Sequence, residues 1–546
     1  AGGVTGRLVP VYALTAGLSN NVLQKAIRQA LDACLGTLPD ILPESVRTEY
    51  KLCGVQFAYE TIHAPASREA LMQARTRLVF EEFFIFSAGL QMLRDARCDE
   101  SAVPCDISGA DAFEAALPFR LTGAQQRAIR DVLRDMASGR PMNRLVQGDV
   151  GSGKTMIAAA AAFCAAKNGL QTAFLVPTEI LARQHFASLR ALMSCFSIET
   201  VLLTGSMPAA EKRRVKEAIA SGEAKLILGT HALLSGDVAF QSLGLVIADE
   251  QHRFGVGQRA ALAAKGRSPH LLVMSATPIP RTLALIAYGD LDISVVDELP
   301  PGRQTIDTFL VGERLRQRVH AFLRRQCAEG GQAYIVCPAI EEGELESLKS
   351  AEVWAQTLQS AVFPDLRVGL LHGRMKGAEK DAVMSAFARH ELDILVSTTV
   401  IEVGVDVPNA NVMVIENADR FGLSQLHQLR GRVGRGERKS YCILFTSSQN
   451  EETLRRLKAL ASTNDGFKIA EEDLKLRGPG DFFGSRQHGL PLFKAANLQL
   501  DMTVLSQAQC AAEAALHDPG WRTDPAFAPL RARIDVLFDS EPVALN

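Results

Sequence analysis

The chain has 546 residues and a mass of about 59.1 kDa, room for roughly three to four domains of about 150 residues each. Its 59 basic and 61 acidic residues leave a net charge of -2; hydrophobic residues make up 47% and charged residues 22%. These values exclude a wholly disordered chain, a collagen-like fibre and a small disulfide scaffold. They also exclude an all-over basic coat, but one basic groove can sit in a neutral protein.

The ten cysteines form no C-x-x-C pair, and most lie in apolar runs. They read as small buried hydrophobes of a reducing cytosol. The longest low-polarity run, Met156 to Ala166, is well short of the ~20 residues of a membrane span. The chain opens Ala1-Gly2-Gly3 with no Met and no charged-then-apolar leader. No signal peptide is expected, a cytoplasmic protein is, and the missing Met points to a fragment.

Along the chain, Gly6 to Gly17 reads as a strand followed by a turn. Ser19 to Leu35 repeats apolar residues at helical spacing up to Gly36. Arg68 to Leu93 reads as a long helix whose apolar face carries Leu71, Leu78, Phe83, Phe84 and Phe86, an aromatic stripe suited to packing. Pro104 and Gly109 break the stretch Cys98 to Phe113, which is taken as a linker. From about residue 117, short apolar runs alternate with helical patterns. The candidate strands are 172–176, 198–203, 225–228, 243–248 and 271–275. After Pro300-Pro301-Gly302 the alternation restarts with 333–337, 368–371, 394–397, 412–415 and 441–445. Continuously apolar strands separated by helices predict parallel sheets buried on both faces, here two α/β domains in tandem.

Gly148-Asp-Val-Gly-Ser-Gly-Lys-Thr155 matches G-x-x-x-x-G-K-[ST] in full, after a short apolar run and before the helical pattern Met156 to Lys167. Glycines let backbone N–H groups converge on phosphate oxygens, and the helix N-terminus adds positive potential. Gly148, Gly151, Ser152 and Gly153 would form the cradle, Lys154 would reach the β/γ-phosphates and Thr155 would ligate Mg²⁺. The apolar run 243–248 leads directly into Asp249 and Glu250. A strand ending in two carboxylates puts Asp249 near the metal and Glu250 where it can orient or deprotonate an attacking water.

These motifs, with Ser275-Ala-Thr277 and Gln428-Leu-Arg-Gly-Arg-Val-Gly-Arg435 following in order, resemble superfamily 2 helicases and translocases. Within that superfamily the chain resembles the RecG family of bacterial DNA translocases. The resemblance rests on Phe119–Gln125, Asp249–Val256, Ser275–Thr282, Ser397–Asn409 and, most tellingly, Gly466–Gly480 continuing to Arg486-Gln487-His488-Gly489. It implies two tandem RecA-like parallel-sheet P-loop domains, an α-helical linker region before them and a helical-hairpin translocation-motif region after them. The implied divisions are 1–45 (the edge of a wedge domain plus a helix), 46–115 (linker), 116–302 and 303–460 (the two RecA-like domains) and 461–546.

The resemblance also implies roles. Phe119, Thr122 and Gln125 would read adenine, and Gly404 and Asp406 would lie near the nucleotide from the second domain. Gln428, Arg432 and Arg435 would reach the γ-phosphate when the domains close, and Ser275 and Thr277 would sense that closure. The run Arg430, Arg432, Arg435, Arg438, Lys439 can also be read as a DNA patch. Phosphate sensing is preferred for Arg432 and Arg435, solvated charge for Arg438 and Lys439. The DNA track is implied at Thr178, Arg183, Thr230, His231, His372, Arg374 and Thr399, with Arg477, Arg486 and Gln487 in a lever that passes closure to the DNA.

The implied activity is ATP-dependent translocation on double-stranded DNA, with Mg²⁺, remodelling stalled forks, Holliday junctions and R-loops in repair and recombination. A monomer in the bacterial cytoplasm, associated with the nucleoid, is expected, with a single-strand-binding protein as a partner by analogy alone. The family's wedge domain, an OB-fold, is expected to be largely absent from this chain, which would weaken branch processing. Two further readings stay open: the motor part of a transcription-repair coupling factor, and an ATP-dependent DNA clamp with impaired unwinding. An RNA helicase fits the Gly466–Gly489 string poorly.

Overall fold

The computed structural model describes residues 8–15, 17–97, 101–250, 256–276, 291–300, 303–338, 344–398, 407–436, 438–477, 493–498 and 500–539. The chain divides into two compact units. One draws on the first 99 residues and the stretch after Arg477; the other comprises Glu100–Pro280 and Leu291–Arg477.

The second unit holds two sheets. The first contains β1 (Asn143–Gly148), β2 (Gln171–Leu175), β3 (Thr200–Leu203), β4 (Leu226–Gly229), β5 (Leu243–Ala248), β6 (His270–Ser275) and β7 (Asp292–Val296). Its order is β3-β4-β2-β5-β6-β1-β7, and every pairing is parallel. The second contains β8 (Ile306–Val311), β9 (Gln332–Val336), β10 (Val368–Leu371), β11 (Ile394–Ser397), β12 (Ala410–Ile415) and β13 (Ser440–Phe445). Its order is β10-β11-β9-β12-β13-β8, again all parallel. The α/β architecture expected from the alternation is therefore present.

Each strand feeds two cores by simple alternation. Phe174 and Val176 enter the core on one face of the first sheet, Ala173 and Leu175 the core on the other. Tyr334 and Val336 do the same against Ala333 and Ile335 in the second sheet. The helix Lys154–Lys167 is buried along its length from Ile157 to Ala165, six of those nine residues being alanine. Small side chains let it lie close to the sheet, and a helix apolar all round belongs inside.

The first unit is helical. Arg68–Arg97 packs with Val55–His63, Met502–His517 and Ala528–Asp539. Phe80, Phe83, Phe84 and Phe86 are buried, so the aromatic stripe is packing, and Phe493 meets Phe83 and Phe86 edge-on at 5.2 and 5.6 Å. Arg77 is fully buried between Asp40 and Glu81, 2.5 Å from each. Arg75 clasps Asp501 with two bonds of 2.6 and 2.7 Å. Glu82 accepts the N–H groups of Lys494, Ala495 and Ala496.

Three expectations need correction. Leu8 to Thr15 forms no strand: with Leu8, Val9, Val11 and Leu14 exposed, it has no sheet to join. It is held instead by Asn20 and Gln24, which donate to Pro10 O, and by Tyr12, whose hydroxyl meets His63 Nδ1 at 2.8 Å. The stretch taken as a linker ends in a helix, Ala110–Ala115, anchored by buried Phe113. Of the nine described cysteines only Cys105, Cys164, Cys327 and Cys442 are buried; Cys34, Cys195 and Cys510 are exposed, lying on outward helix faces and ends.

Candidate active site

β1 ends at Gly148, and its partners β6 and β7 run alongside it, with Ser275 opposite Gln147 and Val296 opposite Gly148. The chain then turns through Gly151 and Gly153, both in the left-handed region at φ +75° and +82°. A side chain at either would also collide: a Cβ on Gly151 would sit 1.8 Å from Arg303 Nη1, and one on Gly153 2.1 Å from Gln125 Nε2. Glycine is thus required on both counts. Lys154 opens the helix. Its ammonium is buried and donates to Gly148 O and Asp149 O, each at 2.8 Å. Burial pushes its pKa down, against the pull of Glu250, Asp249 and Asp149. Ser152 is buried and Thr155 half-buried on the first turn.

β5 delivers the carboxylates. Asp249 N–H donates to Leu175 O at 3.0 Å, extending the ladder one residue beyond the strand. Asp249 Oδ1 accepts the N–H of Glu250, which stands at φ +53°. Oδ2 lies 3.1 Å from His185 Nε2. His185, on the helix Glu179–Ser194, was not singled out in the sequence, since a histidine inside a helical run carries no local signal.

Thr122 and Gln125 close a capping box on the helix Gly123–Ala137. Gln125 also donates to Ser152 O at 2.8 Å, tying that cap to the phosphate loop. Its amide therefore holds the phosphate loop. Phe119 is 50% exposed, free to stack. Ser275 ends β6, buried.

From the second sheet, the helix Leu423–Arg430 brings its end against the phosphate loop. A Cβ on Gly431 would lie 2.9 Å from Val150 Cβ. Gln428 is half-buried, Arg432 is buried, and Arg435 Nε donates to Gly431 O at 3.4 Å. Arg430, part of the run once open to a DNA reading, is instead almost fully buried and donates to Leu460 O and Thr463 O at 2.7 and 2.8 Å. Arg438 and Lys439 are exposed, Lys439 pairing with Asp307 at 2.8 Å. Arg303 donates to Val150 O and, at 3.5 Å, to Gly431 O. Sequence reading took its Pro-Pro-Gly neighbourhood as a break only.

Of the track residues, Thr178 caps the helix Glu179–Ser194 and Arg183 is exposed, 3.5 Å from Ser206 Oγ. Thr230 is buried and His231 exposed. His372 is half-buried, 3.7 Å from Glu352, and Arg374 is exposed. Thr277, Thr399, Gly404, Asp406, Arg486, Gln487 and the Arg477 side chain lie outside the described residues.

The family models for the DEAD/DEAH box helicase and the helicase conserved C-terminal domain match residues 122–286 and 315–437. The model for ATP-dependent DNA helicase RecG, domain 3, C-terminal, matches 463–537. The chain is 46% identical to the ATP-dependent DNA helicase RecG of Bacillus subtilis over 96% of its own length and 77% of that protein's. It belongs to the RecG family. The RecG of Synechocystis is 49% identical over 95% of this chain and 63% of that protein. A solved RecG bound to a three-way DNA junction is 47% identical, covers 91% of this chain and 66% of that one, and superposes with a TM-score of 0.71. The chain thus spans just under two thirds of the first RecG relatives it matches.

Proposed function

We propose that this chain is the ATP-driven motor of a RecG helicase, hydrolysing ATP to ADP and phosphate to move on double-stranded DNA and remodel branched DNA. The observation that carries this reading is the meeting of three parts at one place. The phosphate loop, the Asp249–Glu250 pair and the Gln428–Arg435 segment converge where two RecA-like sheets abut, in a chain of the RecG family. The junction-bound RecG relative supports branched DNA as the substrate class. Stalled forks, Holliday junctions and R-loops are the specific substrates we assign, in repair and recombination. A single-strand-binding protein as partner, a monomeric state and a cytoplasmic, nucleoid-associated location belong to the same proposal. Among the described residues no helix is long and apolar enough to cross a membrane. The strands of the two sheets span 143–296 and 306–445, which supports dividing the motor at 116–302 and 303–460.

The donor set suits a hard divalent cation. A hydroxyl at Thr155 and one carboxylate at Asp249, oriented by His185, match the sparse protein ligation Mg²⁺ takes when phosphates supply the rest. Bound there, Mg²⁺ would neutralise charge on the β/γ-phosphate oxygens. The protein's own groups do the remainder. Lys154 and the loop N–H groups grip the phosphates, Glu250 takes the proton of the attacking water, and Arg432 and Arg435 offset charge developing on the γ-phosphate. Thr178, Arg183, Thr230, His231, His372, Arg374, Thr399, Arg477, Arg486 and Gln487 form the proposed DNA track, with contacts to phosphates rather than base edges.

The test is steady-state ATP hydrolysis with Mg²⁺, titrated with forked DNA, a Holliday junction, linear duplex and single-stranded RNA, with Lys154→Ala as control. Stimulation by branched DNA that Lys154→Ala abolishes is expected. Equal stimulation by linear duplex would leave a motor without branch recognition, and stimulation by RNA alone would sink the DNA reading.

A further inference from the structure

Asp149, the second residue of the phosphate loop, has a carboxylate with three partners. Oδ1 accepts the Val150 N–H at 2.6 Å and lies 2.5 Å from His427 Nε2; Oδ2 accepts the Gly466 N–H at 3.3 Å. On the other side of the His427 ring, Arg430 Nη2 lies 2.9 Å from Nδ1. A guanidinium has donors only. Nδ1 therefore accepts, the ring proton sits on Nε2, and His427 donates to Asp149. Arg430 in turn donates to Leu460 O and Thr463 O. One line of hydrogen bonds thus runs from the phosphate loop through an imidazole and a guanidinium to the end of the helix Glu451–Ser462. A second leaves the same carboxylate for the first residue of the helix Gly466–Arg477.

The members of this network are buried: His427 is 5% and Arg430 1% exposed, and the Asp149 side chain 14%. Burial raises the Asp149 pKa, but His427, the Val150 N–H and nearby Arg303 outweigh it and hold the carboxyl below its ordinary value. Lys154 bonds the Asp149 carbonyl with the same ammonium that phosphate oxygens would claim. A lysine engaged with phosphates has fewer N–H groups left for that carbonyl and for Gly148 O, so nucleotide binding bears directly on the Asp149 peptide. Its side chain is fastened to two helices, and hydrogen bonds of this kind switch between discrete arrangements rather than stretching.

We propose that Asp149 and His427 are positioning residues that carry a change at the phosphate loop to the start of the Gly466–Arg477 helix. In sequence this helix ends at Arg477, ahead of Arg486 and Gln487. The inference rests on the ATP-driven motor reading, and its test separates the two. Hydrogen exchange of the Gly466–Arg477 segment is measured with and without a non-hydrolysable ATP analogue, in the full chain and in Asp149→Asn and His427→Gln. In the unsubstituted chain the analogue is expected to change exchange at the Gly466 amide by about fivefold or more, the low end of typical coupling. In either variant, saturated with the analogue, that response falls to near nothing. The double variant loses no more than either single one, because the two residues act as one link.

In steady-state hydrolysis at saturating ATP the variants lose kcat with branched DNA. A merely structural role would lower analogue binding and thermal stability in parallel and leave the exchange response of the surviving fraction intact, and that result overturns the proposal. So does an unsubstituted chain whose Gly466 amide ignores the analogue, or two variants whose losses simply add. Failure of the motor reading looks different: the exchange response persists, but no DNA stimulates hydrolysis.

Discussion

Glu250 stands in the left-handed region, where a residue with a Cβ is strained by roughly 1–2 kcal/mol. The Asp249 side chain, accepting its N–H at the end of β5, offsets that strain. If Glu250 is the base, Glu250→Gln lowers kcat by about 10²–10⁴ and leaves nucleotide affinity nearly unchanged, measurable by rapid-quench hydrolysis beside equilibrium binding. The phosphate loop and the two carboxylates were legible because their residue types and spacing are dictated by phosphate chemistry. Asp149, His427 and His185 were not. Asp149 occupies a position the motif leaves free, His427 stands one residue before the recognised segment, and His185 gains meaning only when its helix lies against β5. For Gln125 the sequence pointed to adenine, but only the fold reveals its bond to Ser152 O.

At the scale of elements, apolar continuity located most strands, because a parallel sheet covered on both faces leaves no polar alternation to mislead. The boundaries of β5, β10 and β11 fall where the apolar runs begin and end. The strands that escaped are the edge strands β7 and β8, which are only partly buried and carry Asp292, Asp307 and Thr308. β1 showed only its Leu145-Val146 centre, since Asn143, Arg144 and Gln147 look like loop residues. The long helix Arg68–Arg97 was visible, but the buried charge inside it was not. Arg77 compensates Asp40 and Glu81, and burial still raises the Glu81 pKa against the pull of Arg77. Removing one partner of such a set costs about 3–5 kcal/mol. Arg77→Met is therefore expected to lower stability by that order in chemical denaturation. Adding Glu81→Gln recovers part of the loss, because a neutral amide no longer needs the cation.

At the scale of the whole molecule, Gly431 packs directly on Val150, where an added Cβ would lie 2.9 Å from the Val150 Cβ. A methyl group there has nowhere to go, so Gly431→Ala holds the Gln428–Arg435 segment away from the phosphates. Misplacement by about 1 Å can cost about 10² in rate. Hydrolysis stimulated by DNA should fall by that order while nucleotide still binds to the first sheet, a split that turnover and binding assays on one preparation resolve. The alanine-lined helix Lys154–Lys167 bears on what moves in such a cycle. Alanine has no rotamers to exchange, so along its six buried alanines this helix packs without side chains that could rearrange to let it slide. Its N-terminus is then a fixed reference point, and displacement driven by nucleotide falls to the opposing sheet and to the chain around Arg303 that joins the two. If the chain is the motor proposed above, its working stroke is thereby assigned to one side before any DNA is bound.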